Sequence, residues 1–141
     1  MPKANAEIVS AWLDAAVNWF NSPADPEGFS RITQRYMARD VVYEEDPVWP
    51  DAGTYRGPTA VSGRFLEYRE LMHLDRISRG RIVDAGDSVL AEVRIEMLGG
   101  DAGQPVEFLW TYTVKVEGGR IAHLRAWYEP EEAARAAGLR D

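Results

Sequence analysis

The first half of the chain places its hydrophobic residues at helical spacing. Residues 6–20 predict one amphipathic helix, because apolar side chains recur there every three to four positions. That buried stripe consists of Ile8, Val9, Trp12, Leu13, Ala16, Val17 and Phe20. Asp25-Pro26 predicts the start of a second helix, with aspartate as its N-cap and proline in its first turn. Gly57-Pro58 predicts the start of a third, with Val61, Phe65, Tyr68 and Met72 on its buried face.

From His73 onward the hydrophobic period changes to two, which is typical of half-buried strands. Strands are predicted at 77–83, 88–98, 106–116 and 120–129, after an earlier strand at 41–46. Glu117-Gly118-Gly119 predicts a tight hairpin. A short closing helix is predicted from Pro130 to a glycine C-cap at Gly138.

This order of elements predicts an α+β fold in a single domain that spans residues 1–141. Strands of about ten residues are long enough to curl around a helix. We therefore predict a cone-shaped, curved antiparallel sheet wrapped around three N-terminal helices, with a short C-terminal helix. The concave interior of such a cone is a typical place for a small-molecule site.

Composition narrows the classes of partner. The formal net charge is −7, which argues against binding to nucleic acid or to anionic membrane surfaces. The sequence contains no cysteine, so thiolate catalysis and cysteine-ligated metals are excluded. The N-terminus lacks the pattern of a signal peptide, and no apolar run is long enough to span a membrane. We expect a cytoplasmic protein.

The stretch Asp40–Pro58 is the best candidate for chemistry, because carboxylates and aromatic residues crowd together there. Tyr43, Glu45 and Asp46 are the candidate catalytic residues. Strand alternation places Glu45 on the same side as Tyr43 and Asp46 on the opposite side, but Pro47 bends the chain and keeps both acids in contention. A carboxylate in an apolar pocket can move protons near neutral pH. The alternative is that these acids are solvated and pair with Arg39 or Arg56.

Four sequence segments carry a resemblance to a known family. They are Y-M-A-R-D-V-V-Y-E-E-D-P at 36–47, Y-R-G-P-T-A-V at 55–61, I-V-D-A-G-D-S-V at 82–89 and G-G-R-I-A-H-L-R-A-W-Y-E-P at 118–130. With them in this order, the chain resembles the SnoaL-like branch of the nuclear transport factor 2-like superfamily, which includes ketosteroid isomerase-like proteins. The resemblance implies the cone fold, a small ligand, no cofactor, and a homodimer formed through the outer face of the sheet.

The catalytic residues of this superfamily carry over only in part. Ketosteroid isomerase-like members have a general-base aspartate in an E-D-P-V run, and residues 45–48 match that run. Their first-helix tyrosine has no counterpart here, and their second oxyanion acid falls at Tyr112. Limonene epoxide hydrolase-like members use a tyrosine-x-asparagine pair that falls at Tyr43 and Glu45. The remaining positions of that hydrolase mechanism are apolar here, so we do not expect it; they are Val93, Ile95 and Ala126.

Five further residues are candidates for ligand binding. They are Trp49, His73, Trp110, Tyr112 and Tyr128. The strand aromatics form either a ligand wall or ordinary core, and Trp49 is predicted at the rim or in a lid. His73 is either a proton carrier or a structural residue at a helix end. With only two histidines in the sequence, we expect no dedicated metal site.

Two functional hypotheses remain open from the sequence. In the first, the protein is a cofactor-independent acid–base enzyme of the isomerase, cyclase or dehydratase type, acting on a small apolar substrate. In the second, it is a non-catalytic ligand-binding or dimerisation module whose interior is filled by its own side chains.

Overall fold

The computed structural model describes residues 4–22, 25–71, 74–99 and 104–139. Its elements confirm the α+β prediction. In chain order they are α1 (Asn5–Asn21), α2 (Gly28–Tyr36), β1 (Met37–Glu44), β2 (Thr54–Arg56), α3 (Pro58–Leu71), β3 (Leu74–Asp84), β4 (Val89–Gly99), β5 (Gln104–Glu117), β6 (Arg120–Trp127) and α4 (Pro130–Ala136).

The strands form one curved sheet in the order β2-β1-β6-β5-β4-β3. All neighbouring pairs run antiparallel except β1 and β6, which run parallel. The sheet therefore departs from the predicted antiparallel arrangement at this one pair. The parallel pair arises because the last strand inserts between β1 and β5, and this joins the first and last parts of the chain.

The N-terminal boundaries differ from the sequence-based prediction in three places. Helix α2 begins at Gly28, because the Asp25 side chain accepts a hydrogen bond from the Glu27 N–H at 3.1 Å and makes a turn instead of an N-cap. Strand β1 follows α2 directly, beginning at Met37 and ending at Glu44. The three-residue strand β2 was not predicted, because its hydrogen-bonding partner is β1 rather than a strand that follows it.

A break in the β3–β4 pairing bends the sheet. The register shifts between Arg79 and Ile82, which is where Gly80 lies. A Cβ atom at Gly80 would come within 2.8 Å of the Glu92 Cβ, so only glycine fits there. Bulges and glycines of this kind give a long antiparallel sheet its curvature. The predicted hairpin is also confirmed: Gly118 and Gly119 have φ values of 58° and 80°, as a two-residue turn requires.

Helix α1 packs into the concave face of this sheet. The predicted α1 stripe is confirmed in outline, and Trp12 is almost fully buried against Tyr112 with the two rings edge to face. The Asn21 side chain ties the end of α1 to β3 by bonding both the N–H and the carbonyl of Ile77. Helix α4 contacts β5 and β6. Among the described residues, no helix has the length and apolar character needed to cross a membrane.

Candidate functional site

Glu45 lies just after β1, and its side chain is only 2% exposed. Its Oε2 atom accepts hydrogen bonds from the Arg64 Nε at 2.8 Å and from the Tyr68 hydroxyl. Its Oε1 atom accepts from the Arg64 Nη2 and the Gly53 N–H, both at 3.1 Å. These four donors match the acceptor capacity of a carboxylate. The buried charge is therefore fully hydrogen-bonded and paired with a two-pronged guanidinium.

Two tyrosines extend this network into the core. The Tyr43 and Tyr68 hydroxyl oxygens are 2.7 Å apart. Because Tyr68 donates its proton to Glu45, Tyr43 donates to Tyr68. Burial raises the pKa of Tyr43 well above its ordinary value, and the nearby Tyr112 and Glu45 raise it further. Tyr43 therefore remains a protonated donor at the inner end of the network.

Arg64 reaches the site from α3 and lies between two aromatic rings. Its guanidinium carbon is 5.4 Å from the centre of the Tyr55 ring and 4.9 Å from that of Tyr68. A third contact, from Nη1 to Glu67, measures 3.1 Å. The hydrogen bonds to Glu45 raise the pKa of the guanidinium above its ordinary value. Arg64 is thus held as a cation in a fixed place.

Asp46 performs a different task from Glu45. Its Oδ1 accepts the Val48 N–H at 3.0 Å, and its Oδ2 accepts the Tyr128 N–H at 2.9 Å. The carboxylate therefore joins the segment after β1 to the segment after β6. Asp46 is therefore a buried residue that anchors two backbone segments to each other.

Among the described residues, two spaces adjoin this network. An inner cavity of about 40 Å³ lies between α1 and the sheet, with Trp12, Phe65 and Tyr112 among its lining residues. It is too small for a ring, since apolar cavities that accept benzene measure about 150 Å³. Tyr112 lies there, and burial raises its pKa well above the ordinary value.

A larger cleft of about 790 Å³ lies at the mouth of the cone. We call it the mouth cleft. It is lined by Glu45, Trp49, Pro50, Asp51, Arg64, Tyr68, Phe108, Leu109, Trp110, Trp127, Tyr128, Glu129 and Pro130. It forms where β6 ends. Trp127, the last residue of β6, pairs with Thr111 on β5, and the β5 residues from Gln104 to this pair have no β6 residue beside them. Its volume falls in the range of small-molecule pockets.

Trp49 covers part of the mouth cleft. Its ring stacks on Trp110 with centroids 4.5 Å apart and planes inclined by 23°, and Tyr128 meets it edge-on at 6.4 Å. The residues beside these rings at the rim are exposed, with Val48 at 63% and Tyr128 at 56%. Trp49 thus lies in the lining of the cleft, and its action as a lid stays a prediction.

The sequence model of the SnoaL-like domain family matches residues 9–124, which is most of the chain. The protein belongs to the SnoaL-like family. No protein with a curated description matches this SnoaL-like chain.

Solved structures with the same fold share about a fifth of their residues with it. A Mesorhizobium loti protein described as a SnoaL-like polyketide cyclase is 17% identical with a TM-score of 0.67, covering 89% of this chain and 100% of that one. An NTF2-like protein from Burkholderia thailandensis is 21% identical with a TM-score of 0.66, covering 98% and 99%. A Catenulispora acidiphila protein with a ketosteroid isomerase-like fold, in complex with trimethylamine, is 20% identical with a TM-score of 0.62, covering 95% and 94%. At these identities the similarity establishes the fold alone.

The predicted site residues of this SnoaL-like protein divide into three groups. Glu45, Trp49, Trp110 and Tyr128 line the mouth cleft. Tyr43 and Tyr112 lie behind it in the core. Asp46 anchors the rim, and His73 lies outside the described residues. The first two groups are connected through Tyr68, which contacts both Glu45 and Tyr43.

Sequence reasoning overlooked Arg64 and treated Tyr68 as ordinary core. The signal was present, because the two residues are four positions apart and adjoin the buried positions 61 and 65 on α3. Charged side chains are seldom buried without a partner, so an arginine beside an apolar helix face is a candidate for pairing with an acid. Among the residues that the structure describes, no group of three or more potential ligands could hold a metal ion.

Proposed function

We propose that this SnoaL-like protein binds a small apolar molecule in the mouth cleft. The observation that carries this proposal is the cleft itself. It combines about 790 Å³ of space with an aromatic wall that includes Trp110 and Phe108. Ligand pockets typically pair an apolar, aromatic wall with a few fixed polar groups.

The floor of this cleft supplies fixed polar groups. Arg64 and Tyr68 line it, and Glu45 holds both of them in place. A guanidinium has five N–H groups, and three of those on Arg64 are engaged by Glu45 and Glu67. The remaining two can donate to a carbonyl or hydroxyl oxygen of the ligand. A ligand with an apolar body and one acceptor oxygen therefore fits this site best.

The relatives support the same class of function. The Catenulispora protein was solved with a small organic molecule, trimethylamine, and the Mesorhizobium protein is described as a polyketide cyclase. Both descriptions concern small molecules. They motivate a test of small organic ligands on this chain, and their binding to it is our proposal.

A ligand screen with two matched variants tests this proposal. Uncharged ketones, lactones and phenols would be titrated into the protein and followed by ligand-detected NMR. Phe108→Ala should weaken binding at least about fivefold, because it removes apolar wall contact worth roughly 1 kcal/mol. Val116→Ala, on the same strand but not lining the cleft, should leave binding unchanged. Equal effects of the two variants would contradict the proposed location.

Acid–base catalysis is the second candidate, and one observation favours it. The Tyr43, Tyr68 and Glu45 side chains form a hydrogen-bonded row that ends at the cleft floor, which is a possible proton path. The four donors on Glu45 work against it, since a base must present a free lone pair to its substrate. Catalysis would require Arg64 or Tyr68 to withdraw.

Turnover assays distinguish these candidates. Enolisable ketones and epoxides would be tested with wild type, Glu45→Gln, Tyr68→Phe and Asp46→Asn. If Glu45 carries the proton, its variant should lose about 10²–10⁴-fold in rate. Equal turnover in wild type and Glu45→Gln would remove Glu45 as the base. Absence of turnover by wild type with every substrate would leave binding as the function.

We also propose that the protein forms a homodimer through the outer face of the sheet. Trp127 and Leu109 lie on that face where it borders the mouth cleft, and Arg125 stacks on Trp127 with its guanidinium carbon 4.0 Å from the ring centre. The face also carries both charge signs, with Arg94 and Glu107 paired at 3.1 Å. A twofold interface can pair such a patch with itself. Light scattering should give about twice the chain mass of 15.8 kDa; the monomer mass at micromolar concentration would contradict the dimer.

A further inference from the structure

The ring of Trp49 occupies the place on Trp110 where a flat ligand would lie. The two indoles are nearly parallel at 4.5 Å, which is an offset-stacked geometry. Other rings stand around Trp110 at steeper angles, with Tyr68 at 5.7 Å and 60° and Phe108 at 6.2 Å and 44°. The Trp49 ring thus covers one face of Trp110, and the tilted rings of Tyr68 and Phe108 lie around it. We call this covered surface the Trp110 face.

The segment that carries Trp49 is anchored at its two ends. At one end Asp46 accepts the N–H groups of Val48 and Tyr128. At the other, the Glu45 N–H donates to the Gly53 carbonyl at 3.0 Å, and the Gly53 N–H returns a bond to the Glu45 carboxylate. The Trp49 ring lies between these anchors, with Val48 exposed beside it. The Trp49 backbone is held as well, because its N–H donates to the Asp46 carbonyl at 3.1 Å and its carbonyl accepts the Ala52 N–H at 3.2 Å. For the ring to leave Trp110, the Trp49 side chain has to rotate while this backbone stays attached.

The charges around the cleft restrict what can replace the Trp49 ring. Asp51, Glu129 and Glu45 contribute three carboxylates to the lining, and Arg64 contributes a single guanidinium. Arg64 is already paired with Glu45, which leaves the cleft with an excess of negative charge. A ligand carrying a carboxylate or phosphate would be repelled.

We propose that the Trp110 face is a subsite for a flat aromatic ring that carries no negative charge, and that Trp49 occupies it when the ligand is absent. This inference rests on the proposed ligand-binding function and specifies its ligand class. The ligand competes with Trp49 for one aromatic face. A stacked aromatic pair changes an equilibrium constant by about two- to twelvefold, so removing Trp49 should raise apparent affinity by that factor.

Three probes of one size test the inference. They are 2-naphthol, which is flat and neutral; decahydro-2-naphthol, which is puckered and neutral; and 2-naphthoate, which is flat and anionic. Each would be titrated by ligand-detected NMR into wild type, Trp49→Ala, Trp49→Ala/Trp110→Leu and the loop control Val48→Ala. We expect Trp49→Ala to bind 2-naphthol about two- to twelvefold tighter than wild type does. The double variant should lose that gain, and Val48→Ala should match wild type.

Each other outcome has a definite meaning. Weaker or unchanged 2-naphthol binding in Trp49→Ala would show that Trp49 is a wall of the site, which overturns the inference and leaves the proposed function standing. Equal gains for the flat and puckered probes, or tightest binding of 2-naphthoate, would also overturn it. If no probe binds any variant, while a non-aromatic molecule binds wild type in the cleft, only the inference fails. If nothing binds wild type at all, the proposed function fails with it.

Discussion

Replacing Glu45 with glutamine removes the charge that organises the floor of the mouth cleft. Glutamine keeps the shape of the side chain and can still accept a hydrogen bond from Tyr68. It cannot neutralise Arg64, and one of its atoms becomes a donor facing other donors. The variant therefore tests whether the Glu45–Arg64 pair holds α3, β1 and the Gly53 segment together.

The loss in the free energy of unfolding depends on how exposed the Glu45 and Arg64 side chains are. Removing one member of a fully buried ion pair costs about 3–5 kcal/mol, because the other charge is left unpaired. Here the Arg64 side chain is 15% exposed and retains Glu67, so part of its hydration survives. We expect Glu45→Gln to lower the free energy of unfolding by about 2–3 kcal/mol. Arg64→Met should cost at least as much, since Glu45 is more deeply buried.

A double-mutant cycle measured by urea unfolding isolates the pair. Glu45→Gln, Arg64→Met and the double variant should give a coupling free energy of about 1–3 kcal/mol. The matched control is the ion pair between Arg79 and Asp14, whose side chains are 39% and 58% exposed. The Arg79 Nη1 atom lies 3.0 Å from the Asp14 Oδ1 atom. Its cycle should give less than about 1 kcal/mol.

Equal coupling in the two cycles would refute this reasoning. It would mean that burial and the four-donor arrangement add nothing to the Glu45 pair. A Glu45→Gln variant as stable as wild type would contradict it equally, since no unpaired charge would then be buried.

Three further predictions concern the rim, the core and the sheet. Asp46→Ala should lower the free energy of unfolding by about 1–3 kcal/mol, because it leaves two backbone N–H groups without their acceptor, and urea unfolding beside Asp46→Asn measures this. Burial raises the pKa of Tyr112, so the unfolded chain loses this proton near pH 10 while the folded one keeps it. The contribution of Tyr112 to stability should therefore be constant below that pH and fall above it. Tyr112→Phe should reduce the fall in urea midpoints measured from pH 8 to 11. Gly80→Ala should cost about 1–3 kcal/mol in the same assay, because its Cβ would overlap Glu92; a neutral result would contradict the close packing at that bend.

The parts of the fold that sequence predicted well are those with strong local patterns. Strands β4 and β5 alternate over most of their lengths, and Gly118-Gly119 sets the turn after β5. Period-two alternation and positive φ are local properties, so a single sequence displays them. The parallel pairing of β1 with β6 is not local, since it joins residues about 80 positions apart. No nearby residue marks it.

The candidate site shows the same limit. Alternation indicated that Glu45 shares a side with Tyr43, and both residues belong to the Tyr68 network. The alternative interpretation from sequence paired the acids near Glu45 with Arg39 or Arg56, which are close in sequence, but both arginines are exposed. The actual partner is Arg64, 19 residues away on α3. Local patterns indicate which side chains turn inward, whereas helix placement decides which of them meet.

The most direct test of ligand binding in the mouth cleft uses the five tryptophans as position markers. Their indole N–H signals can be followed by NMR while an uncharged aromatic probe such as 2-naphthol is added. The cleft contains Trp49, Trp110 and Trp127, whereas Trp12 and Trp19 are buried in the core. Our account predicts saturable shifts of the Trp49 and Trp110 signals with Trp19 unmoved. Saturable shifts confined to Trp12 or Trp19, or no saturable shift at any of the five, would contradict it.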